Sequence, residues 1–109
     1  MKKSIIVASL FLLAACSAKM ITPSQGDADR VSVRVPGTTL ADLNEGKSLF
    51  ESKCTQCHSL NRPSSKTEAE WREIVPDMAQ RAAKAHKQLI DEHAQAQILK
   101  YLTAYCKLS

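Results

Sequence analysis

The sequence predicts a small all-α domain of three to four short helices. Three observations carry that expectation. Apolar residues recur at helical spacing twice, as Trp71, Val75, Met78 and Ala82 and as Ala94, Ile98, Tyr101, Leu102 and Tyr105. Asp42-x-x-Glu45 and Thr67-x-x-Glu70 have the form of capping boxes, which open helices. Only Val31-Ser32-Val33-Arg34-Val35 alternates with period two, and no second alternating segment is available to pair with it. A chain of 109 residues has room for one such domain.

The first residues are expected to lie outside that domain. Met1 to Ala15 reads as a signal peptide, with Lys2 and Lys3 as its charged start and Ile5 to Leu13 as its apolar run. The run is too short to span a bilayer as a mature helix. Its end, Leu13-Ala14-Ala15-Cys16, resembles a bacterial lipobox, which implies that Cys16 is acylated and becomes the new N-terminus. An ordinary signal peptide cut nearby is the plainer alternative. The sorting rule that goes with a lipobox sends a chain with Ser17 after the lipidated cysteine to the outer membrane, facing the periplasm. Residues 16–39, rich in Ser, Thr, Pro, Gly and Asp, read as a tether. Within it, residues 31–35 are expected to lie extended on the domain.

The domain itself is expected to span residues 40–109. Its first helix starts near Leu40 and places Gly46, Phe50 and Cys54 on one face at i, i+4 and i+8. A glycine inside a helix costs about 1 kcal/mol against alanine, which a close backbone contact at Gly46 would explain. An incidental surface glycine is the alternative. Residues 59–66 form a polar loop with Pro63, and Thr67 opens the next helix. Pro76 interrupts it at a cost of around 3 kcal/mol, so a kink or a fresh start is expected there. The last helix runs from about Asp91 to Lys107.

Cys54-Thr55-Gln56-Cys57-His58 carries the chemistry. Two thiols three positions apart, followed at once by an imidazole, form the attachment signature of c-type haem. The thiols add across two vinyl groups on one porphyrin edge, and His58 then lies where it takes one axial position of the iron. The competing readings are a redox-active cysteine pair and half of a zinc site. The first belongs at a strand-to-helix junction, and none is visible. The second needs another ligand pair at zinc spacing, and the remaining candidates are scattered. The motif occurs once, which predicts a single haem. Of the four cysteines this leaves Cys106, either a small buried hydrophobe or a thiol for an intermolecular disulfide.

Charge excludes little. The formal net charge of +4 falls to +2 without Lys2 and Lys3, and two haem propionates would bring it near zero. No dense basic stripe with interleaved aromatics supports nucleic-acid binding. For the second axial position the candidates are Met78, His86, His93 or a lysine. Met78 shares a face with Trp71 and Val75, and a thioether brings no charge to bury. An ordinary core methionine is the alternative. His86 and His93 stand among Lys84, Lys87, Gln88 and Glu92, where solvated histidines are the default. Met20 lies in the expected tether.

From about Leu40 to Leu108 the chain resembles a small class I cytochrome c. The likeness rests on Gly46-x-x-x-Phe50-x-x-x-Cys54-x-x-Cys57-His58, on Trp71-x-x-x-Val75-x-x-Met78 and on Ile98-x-x-Tyr101-Leu102. The resemblance implies that the first helix crosses the last, with Gly46 and Phe50 meeting Ile98 and Tyr101. It also implies a methionine ligand carried on a helix, and a proline carbonyl, here that of Pro63, orienting the proximal histidine. The expectation is an electron carrier rather than an enzyme, held at the membrane by lipid on Cys16. Its contacts with redox partner proteins would be transient and biased by Lys53 and Arg62. Phe50, Trp71, Val75, Ile98, Leu102 and Tyr105 are the expected walls of the haem site. Two alternatives remain: an accessory subunit of a larger redox complex, and a haem enzyme or gas sensor with an open sixth position.

Overall fold

A computed structural model describes residues 20–54, 62–86 and 88–108. The described residues form four α-helices: α1, Gln25–Ser32; α2, Leu40–Lys53; α3, Glu68–His86; and α4, Glu92–Ala104. A single 3₁₀ turn, Pro63–Ser65, precedes α3. No strand occurs among them, and the one β-bridge joins Thr67 to Lys107. The all-α expectation is met.

Each helix starts where a side chain can satisfy its first amides. At α1, Ser24 Oγ accepts from the Asp27 amide at 3.2 Å, and the Asp27 carboxylate accepts from the Ser24 amide at 3.1 Å. Thr39 and Asp42 do the same for α2 at 3.1 and 2.9 Å. The expected box of Asp42 with Glu45 is therefore one turn too late, because Asp42 is the reciprocating residue rather than the cap. Thr67 and Glu70 form the box predicted for α3, at 3.2 and 2.9 Å. Asp91 caps α4, accepting from the Ala94 amide at 2.8 Å.

α4 is the central rod. It packs along α2 on one side and α3 on the other, and α1 leans on both α2 and α4. The main core gathers Phe50, Trp71, Val75, Ala79, Ala82, Ile90, Ala94, Ile98, Tyr101 and Leu102. Phe50 meets the Trp71 ring edge-on at 6.0 Å and the Tyr101 ring at 6.4 Å. A second, smaller core of Ala28, Val31, Leu43 and Ala104 lies under α1.

That second core corrects the reading of residues 16–39 as a tether for the part that is described, 20–39. Residues 25–32 are helical, and Val31 is fully buried rather than lying extended on the surface. Ala28, Val31 and Val35 fall on one helical face, which outweighs the short alternation of 31–35. The Tyr101 hydroxyl donates to the Ile21 carbonyl at 2.8 Å and the Tyr105 hydroxyl to Asp27 at 2.6 Å. The folded unit thus includes the chain from about Met20 onward, and Met20 itself packs against the main core.

Two further expectations are refined. α3 continues through Pro76, so no fresh helix starts there. α4 ends at Ala104, short of Lys107. Beyond it the chain turns so that the Lys107 amide donates to the Lys66 carbonyl at 2.8 Å.

Candidate haem site

α2 delivers the first cysteine of the motif. Its helix stops at Lys53, and Cys54 is the C-cap residue, its amide still donating to the Phe50 carbonyl at 3.1 Å. Cys54 is half-buried and packs against the main core. Cys57 and His58, and the acylation candidate Cys16 with the signal region, lie outside the described residues.

The direction of α2 is set by its crossing with α4. A Cβ built on Gly46 would overlap the Gln97 carbonyl oxygen, and would stand 2.8 Å from the carbonyl carbon and 2.9 Å from Tyr101 Cβ. The glycine is there because two backbones touch. Gly46 meets Gln97 and Tyr101 of α4 and Phe50 meets the Tyr101 ring, with Ile98 in the same core, so α2 and α4 cross at the tyrosine that the class I resemblance named. The register is held from the other side by Gln97. Its buried amide donates to Asp42 at 2.9 Å and to Glu45 at 2.8 Å. The Thr39 amide, with Gln97, holds the Asp42 carboxyl below its ordinary value.

α3 carries Met78, the candidate for the second axial position. Trp71, Val75, Ala79 and Ala82 are buried along one face, and Ile74 packs at its margin. Met78 falls within the arc these residues span, yet it is only half-buried. It is not among the partly buried residues that pack against the main core. Trp71 is anchored by its indole N–H, which donates to the Pro63 carbonyl at 2.8 Å. The Lys66 amide approaches the same oxygen at 3.5 Å. This carbonyl, to which the resemblance gave the histidine-orienting role, already serves the start of α3.

Of the two histidine alternatives for the second axial position, only His93 has a described side chain. His93 is exposed and its Nε2 lies 3.3 Å from the Glu45 carboxylate, on the outer side of the α2–α4 crossing. His86 closes α3, and its side chain lies outside the described residues. No group of three or more His, Cys, Asp or Glu side chains at metal-binding distances occurs among the described residues.

The residues present fit a covalent haem on two counts. The donor set of two cysteines, a histidine and a methionine is the set such a group takes. The first of those residues, Cys54, packs at the margin of the aromatic and aliphatic core that was expected to wall the site, and Met78 is half-buried on the helix that carries Trp71 and Val75. Phe50, Trp71, Val75, Ile98 and Leu102 are all buried there, and Tyr105 packs at its edge.

Comparison with family models, with curated proteins and with solved structures finds no match to this chain. No described helix is long and apolar enough to cross a membrane.

Reading the sequence missed the contacts that fasten α1 to α4. Arg30 Nη1 donates to the Ala104 carbonyl at 2.9 Å and Arg34 Nη2 to the Thr103 carbonyl at 3.3 Å, so two guanidinium groups cover the C-terminal end of α4. Ser24-x-x-Asp27, followed by Ala28 and Val31, was the signal for this helix.

Proposed function

We propose that this chain is a lipid-anchored carrier of single electrons built on one covalently bound haem c. The observation that carries the reading is Cys54-x-x-Cys57-His58 at the end of α2, with its first cysteine against an apolar core. Cys54 and Cys57 would hold the group by thioethers, His58 would bind the iron on one side and Met78 on the other. When bound, the haem supplies an Fe(III)/Fe(II) couple, which histidine and methionine ligation places at relatively high potential.

The chain's own residues do the rest. Phe50, Trp71, Val75, Ile98 and Leu102 exclude water from the interior face. Gly46 lets α2 and α4 meet backbone to backbone, which fixes where Cys54 lies. Lys53, half-buried in the last turn of α2, and the exposed Arg62 flank the motif on either side and favour transient docking of an acidic partner. Acylation of Cys16 would keep the carrier at the periplasmic side of a membrane, the outer one by the residue that follows it, and raise its effective concentration near anchored partners.

Absorption spectra of the exported protein test this, with Met78→Ala beside it. The wild type is expected to show c-type haem absorbance and a near-infrared sulfur-to-iron band, and the variant to lose that band while staying coloured. A colourless wild type made in a cytochrome-maturing host overturns the proposal. Rapid stoichiometric binding of carbon monoxide to the ferrous wild type would leave the cofactor and discard the closed carrier site.

A further inference from the structure

A second feature lies at the junction of α1, the start of α3 and the residues after α4. These elements enclose a cleft of about 460 Å³, lined among others by Arg30, Arg34, Thr67, Glu68, Lys107 and Leu108. Three cationic side chains face a single carboxylate. That carboxylate, Glu68, is already paired with Arg34 at 3.0 Å and Arg72 at 2.8 Å. Arg30 and Arg34 each spend two nitrogens on Asp27, Glu68 or the last carbonyls of α4. Each guanidinium has five N–H groups, so donors remain. Lys107 is exposed and makes no side-chain hydrogen bond or ion pair among the described residues. Glu70 is its charged neighbour, and Lys66 acts on the same carboxylate. Leu108, 89% exposed, stands at the rim.

The position of this cleft relative to the chain's entry point identifies its partner. Ile21 is fastened to the Tyr101 hydroxyl, the Tyr101 ring lies 5.4 Å from that of Tyr105, and the Arg30 guanidinium sits 5.8 Å from the Tyr105 ring centre. The chain thus enters the fold two aromatic rings from Arg30. Cys16 precedes Ile21 by five residues, which span at most about 17 Å when extended. An acyl chain on Cys16 would hold the bilayer within about that distance of Ile21. We propose that this cleft is the membrane-facing pole of the domain and takes the phosphate of an anionic phospholipid, with Arg30, Arg34 and Lys107 supplying the charge and Leu108 the apolar contact. The proposal rests on the acylation read at Cys16, and it does not depend on the haem.

The test uses the haem-loaded chain beginning at Ser17, which carries no acyl group, sedimented with vesicles at low salt. Vesicles of equal parts phosphatidylglycerol and phosphatidylcholine are compared with pure phosphatidylcholine. Binding is expected to require the anionic lipid, to weaken with salt, and to fall about fivefold or more in Lys107→Glu, since a basic residue near an anionic surface is worth about that factor. Lys84→Glu is the control, because Lys84 lies some 24 Å along α3 from Glu68 at helical rise. Circular dichroism verifies that Lys107→Glu is folded.

Equal binding to both vesicles, no binding, or equal loss in the two variants overturns the proposal. So does protection by inorganic phosphate without vesicle binding, which would mark a free-anion site. A colourless protein that still binds through Lys107 would sink the haem reading and leave this one standing. The mass of the exported chain reports acylation separately.

Discussion

Replacing Gly46 by alanine sets two effects of known size against each other. In an ordinary helix the change stabilises by about 1 kcal/mol, because glycine is the poorer helix former. Here the added methyl would stand 2.8 Å from the Gln97 carbonyl carbon and 2.9 Å from Tyr101 Cβ, and closer still to the carbonyl oxygen. Bringing those carbons to ordinary contact moves α4 outward by about half an ångström or more, in a core packed like a crystal. Overpacking of this kind costs about 1–3 kcal/mol, and a clash with backbone rather than a flexible side chain belongs at the upper end. The separation also stretches the bonds from Gln97 to Asp42 and Glu45. The net expectation is a loss of about 2 kcal/mol. Urea titration followed by far-ultraviolet circular dichroism should show the midpoint falling by about 2 M, for a slope near 1 kcal/mol per molar. A Gly46→Ala variant as stable as the wild type, or more so, would refute the close crossing and with it the placement of Cys54.

The fastening of α1 predicts that Tyr105→Phe, which removes the donor to Asp27, loses about 1.5–2 kcal/mol in the same titration. The variant should also exchange its residue 25–32 amides faster, and unchanged exchange would show that α1 is held by apolar contact alone. Trp71→Phe leaves the Pro63 carbonyl without its indole donor and should cost about 1–2 kcal/mol, read by the same titration. The bond from Tyr105 first, and then the Ser24 contacts, hold the Asp27 carboxyl below its ordinary value, as the Thr39 amide and Gln97 do for Asp42. A depressed carboxyl contributes stability above its unfolded value near 3.8 that is lost as pH falls through the folded one, so unfolding below about pH 4 should be blunted in Asp27→Asn. At the alkaline end, burial pushes Tyr101 up to about 12. Its stability contribution is complete below pH 10 and declines above it, visible as a falling thermal midpoint together with tyrosinate absorbance.

Periodicity alone was enough to place α3 and α4, because Trp71, Val75 and Ala82, and Ile98, Tyr101 and Leu102, recur at helical spacing and are buried as expected. Gly46 was legible for a similar reason: an expensive residue inside a helix needs a compensating contact. α1 was not read because eight residues give few turns of pattern, and Val31 and Val33 alternate just where the helix ends. Val31 is fully buried and Val33 is 81% exposed, an outcome that helical periodicity allows and that alternation, which puts both on one face, does not. The Arg30 and Arg34 contacts were out of reach for a different reason. They join residues some seventy positions apart, and nothing local announces which carbonyls a guanidinium will find. At the candidate site, spacing was enough to put Cys54 at the end of the helix that carries Gly46 and Phe50, whereas the bond from Trp71 to the Pro63 carbonyl depends on how the loop before α3 folds back.

The small core under α1 bears on where this molecule can be cut. Leu43 is fully buried against residues that precede Leu40, and Ala104 is covered by the same helix. A shortened version beginning at Leu40 would bare both, strip Tyr101 and Tyr105 of their acceptors, and leave the last carbonyls of α4 to water. The smallest piece able to stand by itself therefore begins more than thirty residues before Cys54, so truncations from the N-terminal side should stop upstream of Met20.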